Sequence, residues 1–138
     1  MNEQLVLSFL LLIESVLGYP PPDAIPPITK LPAIELVMRV CGAPCPVQAA
    51  FIPGEGILID ETLDLDHDAH AQSVLVHELV HVVQHANGTH SEMTPCRRHT
   101  YREYEAYAVQ EEYLRRRAGS GPRAMPRGNR MWPRCFDD

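Results

Sequence analysis

His77, Glu78 and His81 stand in the order H-E-x-x-H within the run Val74-Leu75-Val76-His77-Glu78-Leu79-Val80-His81-Val82-Val83-Gln84. On a helix, positions i and i+4 share one face, one turn apart, so the two imidazoles can bind a single cation. Glu78 is turned from His77 by about 100 degrees, close enough to reach a water on that cation without being a ligand itself. Two imidazoles and a carboxylate with one position left open form a donor set natural to zinc. Zinc lowers the pKa of a bound water towards about 7, and Glu78 then need only take its proton and pass it to a leaving amine. The chemistry this spacing offers is metal-assisted hydrolysis. H-E-x-x-H also arises by chance, as a pair of solvated histidines. Here it lies inside an apolar helix, where two unpartnered imidazoles would be costly to bury.

A catalytic zinc needs a third protein ligand. The metzincin continuation places Gly three residues and His six residues after His81, but those positions hold Gln84 and Asn87, so that solution fails. A glutamate from a second helix is the other common solution, and Tyr101-Arg102-Glu103-Tyr104-Glu105-Ala106-Tyr107-Ala108-Val109-Gln110 supplies two, Glu103 and Glu105. A third ligand from His90 or His99 would give an all-histidine site of the kind found in DNA-repair-type proteases. The acidic composition and the glutamate helix argue against it. His67, His70, His85, His90 and His99 each read singly as surface histidines.

The H-E-L-V-H-V-V-Q stretch followed by Glu103-x-x-Ala106 resembles the gluzincin clan of zinc peptidases. In size the chain is closer to the minigluzincins and to small bacterial proteins in which an H-E-L-V-H helix precedes an E-A-Y-x-x-Q helix. The resemblance spans residues 55–115 and is specific in the two helices. It implies a zinc-dependent peptidase acting on a peptide or protein. Glu103 is the favoured third ligand, with Ala106 as the small residue that lets the helices approach, and Glu105 is the alternate. The clan's glutamate helix reads E-x-x-S/A-D, but the position of that Asp, which would orient a ligand histidine, holds Tyr107. Tyr107 is expected either to hydrogen-bond an imidazole or a reaction oxyanion, or to act as an aromatic wedge between helices. Gln110 lies on the face of Glu103, two turns on, and either bonds within the helix pair or is solvated. Gly56 to Asp60 resembles the rim strand against which such peptidases lay a substrate, with Ile57, Leu58 and Ile59 as substrate-binding positions. A plain sheet strand is the other reading.

These groups need elements to hold them. Leu5, Phe9, Leu12, Ile13 and Val16 recur at helical spacing, with Leu10 and Leu17 widening the stripe, so residues 1–18 read as a helix. A cleaved signal segment is the less favoured reading, since Glu3 replaces a basic start. Pro20 to Pro27 must be extended and leads into a strand at Ile28 to Leu31. Pro32 to Val40 reads as a helix, although Ile34, Leu36, Met38 and Val40 also alternate as a strand would. A hairpin follows, Val47 to Ile52 and Ile57 to Asp60 around Pro53-Gly54-Glu55-Gly56. One long helix runs from Ala69 to Ala86 before Asn87-Gly88, and another from Pro95 to Arg117. The sum is an α+β domain over residues 1–118 with a small, mostly antiparallel sheet, and an irregular Gly/Pro/Arg-rich tail over residues 119–138.

Composition narrows the partners. A length of 138 residues and 45% hydrophobic content suit one globular core. A net charge of -6 argues against nucleic acid. Arg115, Arg116 and Arg117 suit a helix C-terminus, and Arg123, Arg127, Arg130 and Arg134 a solvated tail. The first helix is too short and too interrupted by Glu14 for a stable membrane span, and a monomer is expected. Cys41, Cys45, Cys96 and Cys135 lack the paired C-x-x-C spacing of a structural zinc site. They would form one or two disulfides if exported and remain thiols in the cytoplasm, the favoured compartment, with a secreted or periplasmic location as the alternative. A single small domain lacks the second subdomain that usually walls such a cleft. A weak or latent zinc-binding scaffold with the same fold is therefore the competing function, and the tail around Met131-Trp132-Pro133 a candidate cover for the site.

Overall fold

The computed structural model of the protein describes residues 3–119 and Cys135. Its elements run α1 (Glu3–Leu17), β1 (Ile28–Leu31), α2 (Ala33–Val40), β2 (Ala49–Ile52), β3 (Gly56–Asp60), α3 (Ala69–Asn87) and α4 (Pro95–Arg117). This is the expected α+β domain of helices around a small sheet. Apart from Gly119 and Cys135, the tail lies outside the described residues, and with it the proposed cover at Met131-Trp132-Pro133.

The sheet is mixed rather than mostly antiparallel. Its order is β1-β3-β2, with β2 antiparallel to β3 through the hairpin and β1 parallel to β3, Ile28 opposite Ile57. Parallel pairing requires a crossover, and α2 supplies it between β1 and the hairpin. Gly56 makes the seat for β1. Its φ is 113°, and a Cβ there would stand 2.3 Å from the Pro27 carbonyl oxygen, which accepts the Ile57 N–H at 2.9 Å. Only glycine permits that approach.

The ambiguous stretch after Pro32 is a helix. Of its alternating apolar residues only Leu36 is fully buried, against Leu31 and Leu58, while Ile34 and Met38 are exposed. On α1 the buried face comprises Val6, Phe9, Leu10 and Ile13. It is rotated slightly from the expected stripe, so that Val16 is exposed and Leu5, Leu12 and Leu17 sit at its margin.

Helix α3 is buried along nearly its whole length because the sheet, α1 and α4 all pack on it. The Asp68 side chain caps its start, accepting the Ala71 N–H at 2.9 Å. Gly88, at φ 61°, closes its end in the left-handed conformation. α4 begins with Pro95 in its first turn and ends on Arg115, Arg116 and Arg117, as expected of cations at a helix C-terminus. Arg115 and Arg116 pair with Glu112, and Arg117 reaches Gln72 and Tyr113. Ala106 and Val109 on α4 are fully buried in the core shared with α3. All four cysteines are paired, Cys41 with Cys45 and Cys96 with Cys135. Among the described residues no helix is long and apolar enough to cross a membrane.

Candidate metal centre

The helical spacing of α3 brings His77 Nε2 and His81 Nε2 within 3.3 Å of each other. From α4, the Glu103 carboxylate approaches both, Oε1 at 2.6 Å from His81 Nε2 and Oε2 at 3.3 Å from His77 Nε2. Ala106, three residues after Glu103, is fully buried in the core that the two helices share. Among the described residues these three side chains form the one group of donors able to hold a metal ion. Glu105, the alternate ligand, faces elsewhere. Its Oε2 accepts the Tyr19 hydroxyl at 2.6 Å, and its Oε1 accepts the Gln84 amide at 3.0 Å and lies 3.2 Å from His90 Nε2. Neither His90 nor His99 joins the donor group. His90, read as a surface residue, is partly buried against Glu105 with 18% of its side chain exposed.

The outer nitrogens of both rings are committed. His77 Nδ1 lies 2.9 Å from Gln110 Oε1, and His81 Nδ1 2.9 Å from Gln84 Oε1. The amides are oriented by what they donate to. Gln84 Nε2 gives its hydrogens to the Arg102 carbonyl and to Glu105, both at 3.0 Å. Gln110 Nε2 donates to Ser73 Oγ at 3.2 Å, while the Ser73 hydroxyl donates to the His70 carbonyl at 2.7 Å. Each glutamine thus presents oxygen to its histidine, so Nδ1 donates to it and Nε2 faces the shared centre. Two ring nitrogens and a carboxylate converge on one point, and these residues could hold a metal ion. Gln110 bonds across the helix pair as its position on α4 suggested. Gln84 served in the sequence only to exclude a metzincin site, although its place three residues after His81 puts it on the same face.

Charge in the site follows from burial and proximity. Burial pushes the Glu78 carboxyl up, Glu103 adds to this, and His77, His81 and the Phe51 N–H only partly offset it. Burial alone would raise Glu103, but hydrogen bonds and charge from His77 and His81 hold it well below the usual carboxylate range. Burial lowers His81, and the carboxylates of Glu103 and Glu78 more than reverse this, leaving it raised.

Tyr107 packs edge-on against the His77 ring, centroids 4.5 Å apart at 65°. Its ring is a wedge beside His77, and Gln110 bonds that imidazole where the clan would use its Asp. A cleft of about 650 Å³ opens over the centre, lined on one side by Ala49, Ala50 and Phe51 and on the other by Glu103 and Tyr107. The rim strand is not the one expected. Ile57, Leu58 and Ile59 belong to β3, the central strand, with both edges paired and side chains 0–3% exposed. The edge at the cleft is β2. Asp60 N–H donates to the Gln48 carbonyl at 2.9 Å, and the antiparallel alternation then turns Ala50 towards β3 and the main-chain groups of Ala49 and Phe51 away from it. The Phe51 N–H is taken by Glu78 Oε1 at 2.9 Å.

No protein-family model, no curated protein and no solved structure matches the chain.

Proposed function

We propose that this protein is a zinc-dependent metallopeptidase of the gluzincin type, with His77, His81 and Glu103 as ligands and Glu78 as general base. The observation that carries the reading is the convergence of two Nε2 atoms and one carboxylate, with both Nδ1 atoms held by glutamine oxygens. Two imidazoles and one carboxylate are the donor set of catalytic zinc with a position left open. Zinc bound there would supply a Lewis acid for the scissile carbonyl and acidify a water. Glu78, buried beside the ligands, takes the proton from the attacking water and returns it to the leaving amine. The β2 edge turns the main-chain groups of Ala49 and the Phe51 carbonyl away from β3, towards an extended peptide, in a cleft whose volume suits a peptide segment. Tyr107, on the wall beside His77, is the candidate donor to the developing oxyanion.

The test is metal content and cleavage of a peptide library for wild type, Glu78→Ala, Glu103→Ala and Glu105→Ala. One zinc per chain is expected in wild type and Glu78→Ala and none in Glu103→Ala, with cleavage by wild type but not by Glu78→Ala. Zinc without cleavage would leave a metal-binding scaffold, and absence of zinc in wild type would refute the reading.

A further inference from the structure

The Gln84 side chain is fully buried and has every polar position occupied. Its oxygen faces His81 Nδ1, one N–H faces the Arg102 carbonyl and the other faces Glu105 Oε1. The Arg102 carbonyl is fixed by the backbone of α4, whereas Glu105 is a side chain that must itself be held. Tyr19, in the connection after α1, donates its hydroxyl to Glu105 Oε2 at 2.6 Å. Burial, the hydrogen bond and the charge of Glu105 all push the Tyr19 phenol up, so it keeps its proton and remains a donor. The connection is pinned in turn by Asn87 Nδ2, which donates to the Pro20 carbonyl at 3.0 Å. On the other flank His90 Nε2 lies 3.2 Å from Glu105 Oε1. His90 is held in the left-handed region at φ 61°, and its carbonyl accepts from Met93 N–H at 3.1 Å and Arg98 Nε at 3.3 Å.

We propose that Glu105 and Tyr19 are positioning residues for His81, acting through Gln84 to hold the imidazole by Nδ1 with Nε2 towards the metal. This rests on the metal-site reading above. Without the Glu105 acceptor, one buried N–H of Gln84 has no partner, and rotation of the amide cannot relieve this, because its oxygen would then face the Arg102 carbonyl. The amide is held less firmly, and with it the imidazole that it bonds. The segment after the first helix thus reaches a metal ligand through two intervening side chains.

The experiment compares wild type, Glu105→Leu, Glu105→Gln and Tyr19→Phe, using zinc alone as probe. Zinc affinity is read by competition with a chromophoric chelator, and the hold of Gln84 on the ring by the exchange rate of the His81 Nδ1 hydrogen in NMR. Wild type is expected to show a slowly exchanging hydrogen there. Glu105→Leu is expected to speed its exchange and weaken zinc about 10–100-fold. Glu105→Gln keeps an acceptor for Gln84 and should restore zinc binding to within about fivefold of wild type, the weight of a single hydrogen bond. Tyr19→Phe should weaken zinc by up to about fivefold for the same reason, and it carries the test if Glu105→Leu does not fold. Unchanged affinity and ring N–H exchange in folded Glu105→Leu and Tyr19→Phe would overturn the proposal while leaving a zinc-binding wild type intact. An exchange rate that follows Glu105 in a wild type that binds no zinc would uphold the positioning role and remove the peptidase reading instead.

Discussion

Glu78 on α3 accepts the main-chain N–H of Phe51 on β2 at 2.9 Å, tying the proposed base to the strand edge that lines the cleft. The bond aims one carboxylate oxygen at the sheet, so a peptide paired with β2 would meet the proposed base in a fixed orientation.

Glu78→Gln keeps an oxygen for the Phe51 N–H and removes the proton acceptor. Its zinc content should equal that of wild type, and kcat should fall about 10²–10⁴-fold. Because burial raises the Glu78 carboxyl, its ionisation opposes folding as pH rises through the folded value. The neutral variant should therefore be at least as stable as wild type at pH 7 without metal, as read by chemical denaturation.

Gly56→Ala tests the seat of β1. The added methyl would stand 2.3 Å from the Pro27 carbonyl at a φ of 113°, and the expected cost is about 3 kcal/mol. Urea denaturation measures it. Loss of stability with zinc still bound would show the α3–α4 pair holding its geometry apart from the sheet edge.

Alkaline titration should single out Tyr19. Its phenol is pushed up in the folded protein by burial and then by Glu105, so its contribution to stability is present below the ordinary tyrosine value of about 10 and is lost as pH rises through the higher folded value. The stability difference between wild type and Tyr19→Phe should shrink above that pH. Ultraviolet absorbance should show Tyr19 among the last tyrosines to ionise.

Thiol titration of the native protein should find no free cysteine, since both bridges are formed. Cys41→Ser with Cys45→Ser opens a five-residue ring beside Val40, Pro46 and Val47, which line the cleft. The loss of loop constraint should cost about 2 kcal/mol. KM should rise more than kcat falls, because the change loosens the rim and leaves the ligands untouched.

The helices were legible in the sequence because local signals agreed. The end of α3 falls at Gly88 and the start of α4 at Pro95, each where a residue's backbone preference coincides with a change in hydrophobic pattern. His77, Glu78 and His81 could be placed on one helix for the same reason. What could not be read depended on contacts distant along the chain. Glu103 and Glu105 sit two residues apart on α4 and so face differently, but which one meets His81 depends on how α4 rolls against α3, set by Ala106 and Val109 in the core. The parallel pairing that makes β3 central comes from Ile28 and Gly56, apart in sequence, meeting through Pro27, and it moved the rim from Ile57–Ile59 to Ala49–Phe51. Tyr19 lies 86 residues from Glu105, beyond any spacing rule.

His77, His81, Glu78 and Gln84 belong to α3, while Glu103, the third member of the candidate donor group, comes from α4. An ion bridging them would act as a rivet between two helices. Whatever it stabilises grows only as the logarithm of its free concentration over Kd, so the resistance of this protein to unfolding would report the zinc supply around it. A chain stripped of metal would lose the clamp between α3 and α4 before it lost either helix.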